Sequence, residues 1–163
     1  MPTKVTQNEL PMNIAGIARR IGADPRVVRY VLFHGLVPGA DGASHGRGNT
    51  RSFSMPEAFA IALAVRLFSG GLRQPFVKGL LRGLLEQAAE LEPAIAKPPG
   101  AGEVMLFDIA DGVNVRMRRG RKSTLDNPLW VRLDTGRKAD DAYQPGVVTS
   151  VDLADIIRRL HEK

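Results

Sequence analysis

The sequence predicts an α+β fold: a helical N-terminal unit over residues 1–92, a linker over 93–102, and a small antiparallel sheet with a C-terminal helix over 103–163. Three observations predict it. Apolar residues recur with a period of about 3.6 as far as Leu91 and about 2 from Val104 onward, the spacings of a helix and of a half-buried strand. Residues 13–53 read as two short helices joined by a tight turn and followed by a basic hairpin, the layout of a winged helix-turn-helix. Between the two patterns lies AIAKPPGAG, residues 94–102, where paired prolines stiffen the chain and glycines release it.

In the first helix Ile14, Ile17, Ala18 and Ile21 share one face, Asn13 is placed as N-cap, and Gly22 ends the helix because glycine turns left-handed without a Cβ penalty. Asp24 caps a second helix whose first residue, Pro25, sits where a backbone N–H would lack a partner anyway. Val28, Val31 and Leu32 form its inner side, Arg26, Arg29 and Tyr30 fall largely on the other, and Gly35 closes it. So short a helix is not stable alone and needs the first helix and a third to cover it. Outward it offers an N-terminus with guanidinium and phenol groups, the equipment of a helix that enters a DNA major groove.

Val37-Pro38 leaves in an extended direction. Residues 39–48 then hold four glycines with Asp41, Ser44, His45 and Arg47, which we read as the tip of a hairpin whose return strand is 50–53. Arg47 and Arg51 would lie along that wing and meet backbone phosphate; a plain surface loop is the competing reading. Ser54 and Glu57 form a capping box that starts a third helix, with Phe59, Ala62, Leu63 and Leu67 on its apolar side and Gly70-Gly71 at its end. A fourth helix follows Arg73-Gln74-Pro75. Its Val77, Leu81, Leu84, Ala88 and Leu91 suit either the seam of a helix pair between subunits or a core-facing side.

Beyond the linker, strands 104–109 and 113–117 are joined by Asp111-Gly112, a strong hairpin signal. Val113, Val115 and Met117 alternate with Asn114, Arg116 and Arg118, so one face is expected buried and the other wet. Leu129, Val131 and Leu133 make a third strand with Trp130 on its other side. Residues 147–151 are a fourth strand or the approach to a last helix, which begins near Asp152 and carries Leu153, Ile156, Ile157 and Leu160 on one side. Residues 116–122 pack five cations into seven positions, either a second phosphate contact or a charged edge that deters sheet aggregation.

Charge divides the chain in the same place. Residues 1–85 carry 11 Lys+Arg against 4 Asp+Glu and residues 86–163 carry 12 against 13, so the net +6 resides in the helix-turn-helix half. Such a local surplus is what phosphate neutralisation requires, although a solvated basic surface is compatible with it. Cysteine is absent, which excludes disulfides and thiolate metal sites. The first residues lack the hydrophobic core of a signal peptide, and the longest apolar run, 58–65, is far short of the roughly 18 residues of a spanning helix. We therefore expect no membrane association and a cytoplasmic, nucleoid-associated protein. His34, His45 and His161 are scattered, the glycines lack phosphate-loop order, and no nucleophile–base constellation emerges, so neither enzyme activity nor a cofactor or metal is expected.

Ala18-Arg19, Gly22, Pro25, Arg29-Tyr30, Gly35-Leu36 and Pro38, then Arg51-Ser52-Phe53 and Gly71-Leu72, together resemble the MerR family of regulators over residues 13–85. The resemblance implies a winged helix-turn-helix whose second helix enters the major groove, with the hairpin and the turn between the third and fourth helices acting as wings on the backbone. It also implies a homodimer on an inverted-repeat site. By position Arg29 and Tyr30 match the family's Arg-Tyr pair, Arg51 its wing arginine, and Arg19 the basic residue of its first helix. The expectation is thus a dimeric, sequence-specific transcriptional regulator on double-stranded DNA. Arg26, Arg29 and Tyr30 would act in and near the groove, and Arg19, Arg47 and Arg51 on the backbone; an effector is not specified. An architectural, excisionase-like DNA-bending factor is the alternative on the same chemistry. A protein-interaction scaffold that keeps the fold without DNA is the alternative from another class.

Overall fold

A computed structural model describes residues 12–40, 51–86 and 88–162. Helix α1 (Ile14–Ile21) starts where Asn13 accepts the Gly16 amide at 2.8 Å and stops at Gly22, whose φ of 67° is left-handed. Helix α2 (Pro25–Phe33) starts where Asp24 accepts the Arg26 amide at 2.8 Å, and its last turn closes through Gly35 at φ 61°. Both caps are those expected from the sequence. Helix α3 (Met55–Ser69) carries the full capping box, Ser54 Oγ accepting the Glu57 amide and the Glu57 carboxylate accepting the Ser54 amide.

The centre of the molecule is α3. Every residue from 58 to 65 is buried, on all sides of the helix rather than along one stripe, because five other helices surround it. These are α1, α2, α4 (Gln74–Glu86), α5 (Ala88–Ala96) and α6 (Leu153–His161). The fourth helix of the sequence reading is described as α4 and α5 on either side of residue 87, which lies outside the described residues, and the linker expected from residue 93 begins later. Helix α5 continues through Pro93 to Ala96, and its Leu91 and Ile95, one turn apart, are buried in the core. Val77, Leu81 and Leu84 of the anticipated seam are buried within this chain together with Leu80.

Strands β1 (Glu103–Ala110), β2 (Asn114–Arg121), β3 (Val131–Arg132) and β4 (Val148–Asp152) form one antiparallel sheet in the order β3-β2-β1-β4. Asp111 (φ 49°) and Gly112 (φ 72°) supply the two left-handed residues of the β1–β2 turn. The third strand is shorter than its alternation suggests: only two residues pair with β2, and Leu129 is exposed. The fourth is a true strand, lying on the far side of β1, and Asp152 at its end caps α6 by accepting the Ala154 and Asp155 amides. Leu153, Ile156, Ile157 and Leu160 are all buried, as their spacing predicts.

The two halves share one hydrophobic core. Helix α6 packs on β1 and equally on α1 and α3, so Phe107 and Ile109 of the sheet join Ile17, Ile21 and Phe59 in a single cluster through it. The opposite sheet face, expected to be wet, is covered. Asp108 is 0% exposed, and Asn114 and Trp130 are buried as well. The segment between β2 and β4 returns across this face: Trp130 lies under the Arg116 guanidinium at 4.2 Å, and Tyr143 accepts from Asn114. Asp108 is held by Arg116 (2.9 Å), by Arg118 through both carboxylate oxygens (2.6 and 3.2 Å), and by the Ser150 hydroxyl (2.6 Å). Burial alone would raise the Asp108 carboxyl, but the hydrogen bonds from Arg118, Ser150 and Arg116 outweigh it and hold the group below its ordinary range. Among the described residues no helix is long and apolar enough to cross a membrane.

Candidate nucleic-acid interface

Helix α2 is anchored on its inner side by Val28, Val31 and Leu32, all buried against α1 and α3. That anchorage leaves Arg26 and Arg29, three residues apart, exposed on the outer side. Neither guanidinium has a hydrogen-bond or ion-pair partner among the described residues. The same holds for the exposed side chains of Arg19 on α1 and Arg73 at the α3–α4 turn, the latter a residue to which the sequence reading gave no role.

Tyr30 is placed differently. It is half-buried, stacked on Phe68 of α3 (centroids 5.0 Å apart, planes at 26°) and against His34 (4.1 Å), and its hydroxyl accepts from Gln74 at the start of α4. Its phenol ties α2 to the α3–α4 turn, so the carriers of Arg29 and Arg73 are held together.

Arg51 is exposed, yet one of its nitrogens lies 2.9 Å from Glu57 and its guanidinium sits 5.2 Å from the centre of the Phe53 ring. Residues 51–54 form no strand. The Phe53 amide bonds to the Met12 carbonyl instead, so the return strand expected over 50–53 is not present in its described part. Arg47 and all but the first two residues of the hairpin tip expected over 39–48 lie outside the described residues. Glu57 is held below the ordinary carboxylate range, chiefly by the Ser54 amide, against the opposing effect of burial.

Two further arginines of this half face helix ends rather than solvent. Arg20 donates to the Leu160 carbonyl in the last turn of α6, and Arg66 donates at 3.0 Å to the Ile21 carbonyl that ends α1. Each places a cation at a negative helix terminus, where the macrodipole favours it. Neither contact has a local sequence signal, since the partners are 140 and 45 residues apart.

Five cations of the C-terminal half are paired among the described residues. Arg116 and Arg118 meet Asp108, Arg132 meets Asp134, Arg159 meets Asp155, and Arg158 lies 3.9 Å from Asp152. Of the cationic run 116–122, this leaves Arg119, Arg121 and Lys122 at the exposed end. Among the described residues no three His, Asp or Glu side chains gather as a metal site. His161 contacts the Ile95 carbonyl at 2.9 Å, a packing role at the end of α6.

The outer side of α2 carries one residue that composition hid. Phe33, one turn beyond Arg29, is 72% exposed and meets His34 edge-on, with centroids 5.2 Å apart and planes at 84°. The apolar run Val31-Leu32-Phe33 gives no warning of this, because only the helical phase separates the first two from the third.

No family model, curated protein or solved structure matches the chain.

Proposed function

We propose that the chain is a sequence-specific, dimeric DNA-binding regulator of the MerR-like winged helix-turn-helix type, with α2 in the major groove. The observation that carries this reading is the pair Arg26 and Arg29, exposed on the outer side of a helix anchored from within, with no carboxylate partner among the described residues. Where Arg20 and Arg66 of the same half are committed to helix ends and Arg51 to Glu57, an unneutralised pair on one helix is a ready receptor for phosphate and guanine edges. Arg19 and Arg73 supply further exposed charge on the flanking elements, a basis for fixing the helix on the backbone.

Phosphate neutralisation makes affinity fall steeply with salt, by close to one power of salt concentration per contact. Fluorescence anisotropy on a random-sequence duplex from about 50 to 200 mM salt reads that slope. Arg29→Ala should lower affinity for a selected site by roughly 5- to 150-fold, the range for losing one bidentate base contact. Lys122→Ala, at the exposed end of β2, should leave it within twofold. Equal losses from both variants would mean that the contact surface lies elsewhere. A chain that binds no duplex even at low salt is a scaffold and not a regulator. Sites selected from a random pool report the dimer through half-site symmetry.

A further inference from the structure

We infer that Phe33 is a specificity residue of this interface, reading the C5-methyl group of a thymine; the inference rests on the DNA-binding reading above. Large exposed apolar side chains are few among the described residues, and Leu129, Val147 and Val148 all belong to the sheet unit. Phe33 alone of them stands in the helical unit, on the helix that presents Arg26 and Arg29. It follows Arg29 by four residues and Arg26 by seven, so the three form one strip along the outer side.

The ring is held in place. Its edge contact with His34 continues through His34 to Tyr30 and from Tyr30 to Phe68, a row of aromatic contacts leading from the exposed tip into the core. A solvent-facing phenylalanine at the end of such a row is pre-oriented and loses little freedom on binding. In the major groove one apolar feature distinguishes bases, the thymine methyl, and phenylalanine is among the side chains that contact it. Four residues of helix advance roughly 6 Å, close to two base-pair steps of about 3.4 Å each. A guanine read by Arg29 would therefore have a thymine, on either strand, about two base pairs away.

The test begins with the consensus duplex selected by the full-length chain from a random pool. Thymines within three base pairs of each guanine of that consensus are replaced one at a time by uracil, which differs only in lacking the methyl. For the unaltered chain one replacement should cost about fourfold in affinity, the worth of one buried methyl, and 5-methylcytosine at that position should bind better than cytosine. Phe33→Ala should bind the thymine and uracil duplexes equally while keeping the salt slope of the parent. If duplex binding and its salt slope persist but no uracil substitution alters affinity, Phe33 does not read a methyl group and the inference is overturned while the DNA-binding reading stands. If no duplex is bound, both are overturned. Should Phe33→Ala retain the full thymine preference, another side chain makes the contact.

Discussion

Replacing Asp108 by alanine tests the buried cluster on the outer sheet face. Asp108 has no exposed surface, while the Arg116 and Arg118 side chains are 17% and 23% exposed. Removing the carboxylate takes the acceptor from four hydrogen bonds, two of them the side-on pair from Arg118, and leaves two guanidinium groups facing each other across a covered face. Breaking a buried ion pair from one side costs about 3–5 kcal/mol. The partial hydration that both arginines keep argues for the lower end, about 3 kcal/mol. In a chain of this length each kcal/mol moves the melting temperature by about 2–4 °C, so a drop of roughly 6–12 °C is expected. Urea titration at neutral pH with an unchanged m-value should report the same loss. The pH dependence has a fixed sign. Because the folded carboxyl titrates below its ordinary range, its contribution is complete above the unfolded pKa of about 4 and is lost as pH falls through the folded value. The gap between parent and Asp108→Ala should thus be constant from about pH 5 to 8 and narrow in acid. A variant within 1 kcal/mol of the parent at pH 7, or a gap that stays constant on acidification, would refute the reasoning.

Other perturbations address the elements that carry the interface. Ser54→Ala removes one half of the capping box and should cost about 1 kcal/mol in denaturant titrations, whereas Arg51→Ala, which breaks the exposed Arg51–Glu57 pair and the contact with the Phe53 ring, should stay within about 1 kcal/mol. Gly120→Ala should cost roughly 2 kcal/mol, because φ is 140° there and the new Cβ would stand 2.6 Å from the Thr124 carbonyl, a backbone atom that cannot swing away. Gly79→Ala, on the exposed side of α4 with open space around it, should instead stabilise by about 0.5–1 kcal/mol, visible as a higher midpoint.

What the sequence revealed well is local. Asn13, Asp24-Pro25 and the Ser54–Glu57 box each announce a helix start within four residues, and Asp111-Gly112 announces a hairpin, because caps and tight turns are decided by near neighbours. What it concealed is non-local. The alternation Asn114, Arg116, Arg118 looks wet, and only the return of Asn127, Trp130, Tyr143 and Ser150 from 11 to 42 residues away covers that face. For the same reason Arg20 and Tyr30 could be assigned to the right helices without revealing that one faces α6 and the other the α3–α4 turn. Pro93 signals a break, but burial of Leu91 and Ile95 beside α3 carries the helix past it. The exposed pair Arg26 and Arg29 follows from helical phase alone, since the inner residues of the helix are unmistakably apolar.

The last helix has a consequence for how the molecule is made. On the ribosome, α1 and α3 emerge well before Leu153, Ile156, Ile157 and Leu160, against which their apolar sides close. Until α6 has left the exit tunnel, the nascent helical unit remains sticky and unfinished, and a chain cut after Ala96 should aggregate or recruit chaperones rather than persist as a free-standing module. Whatever the outer side of α2 engages, it becomes competent only once α6 has closed on α1 and α3.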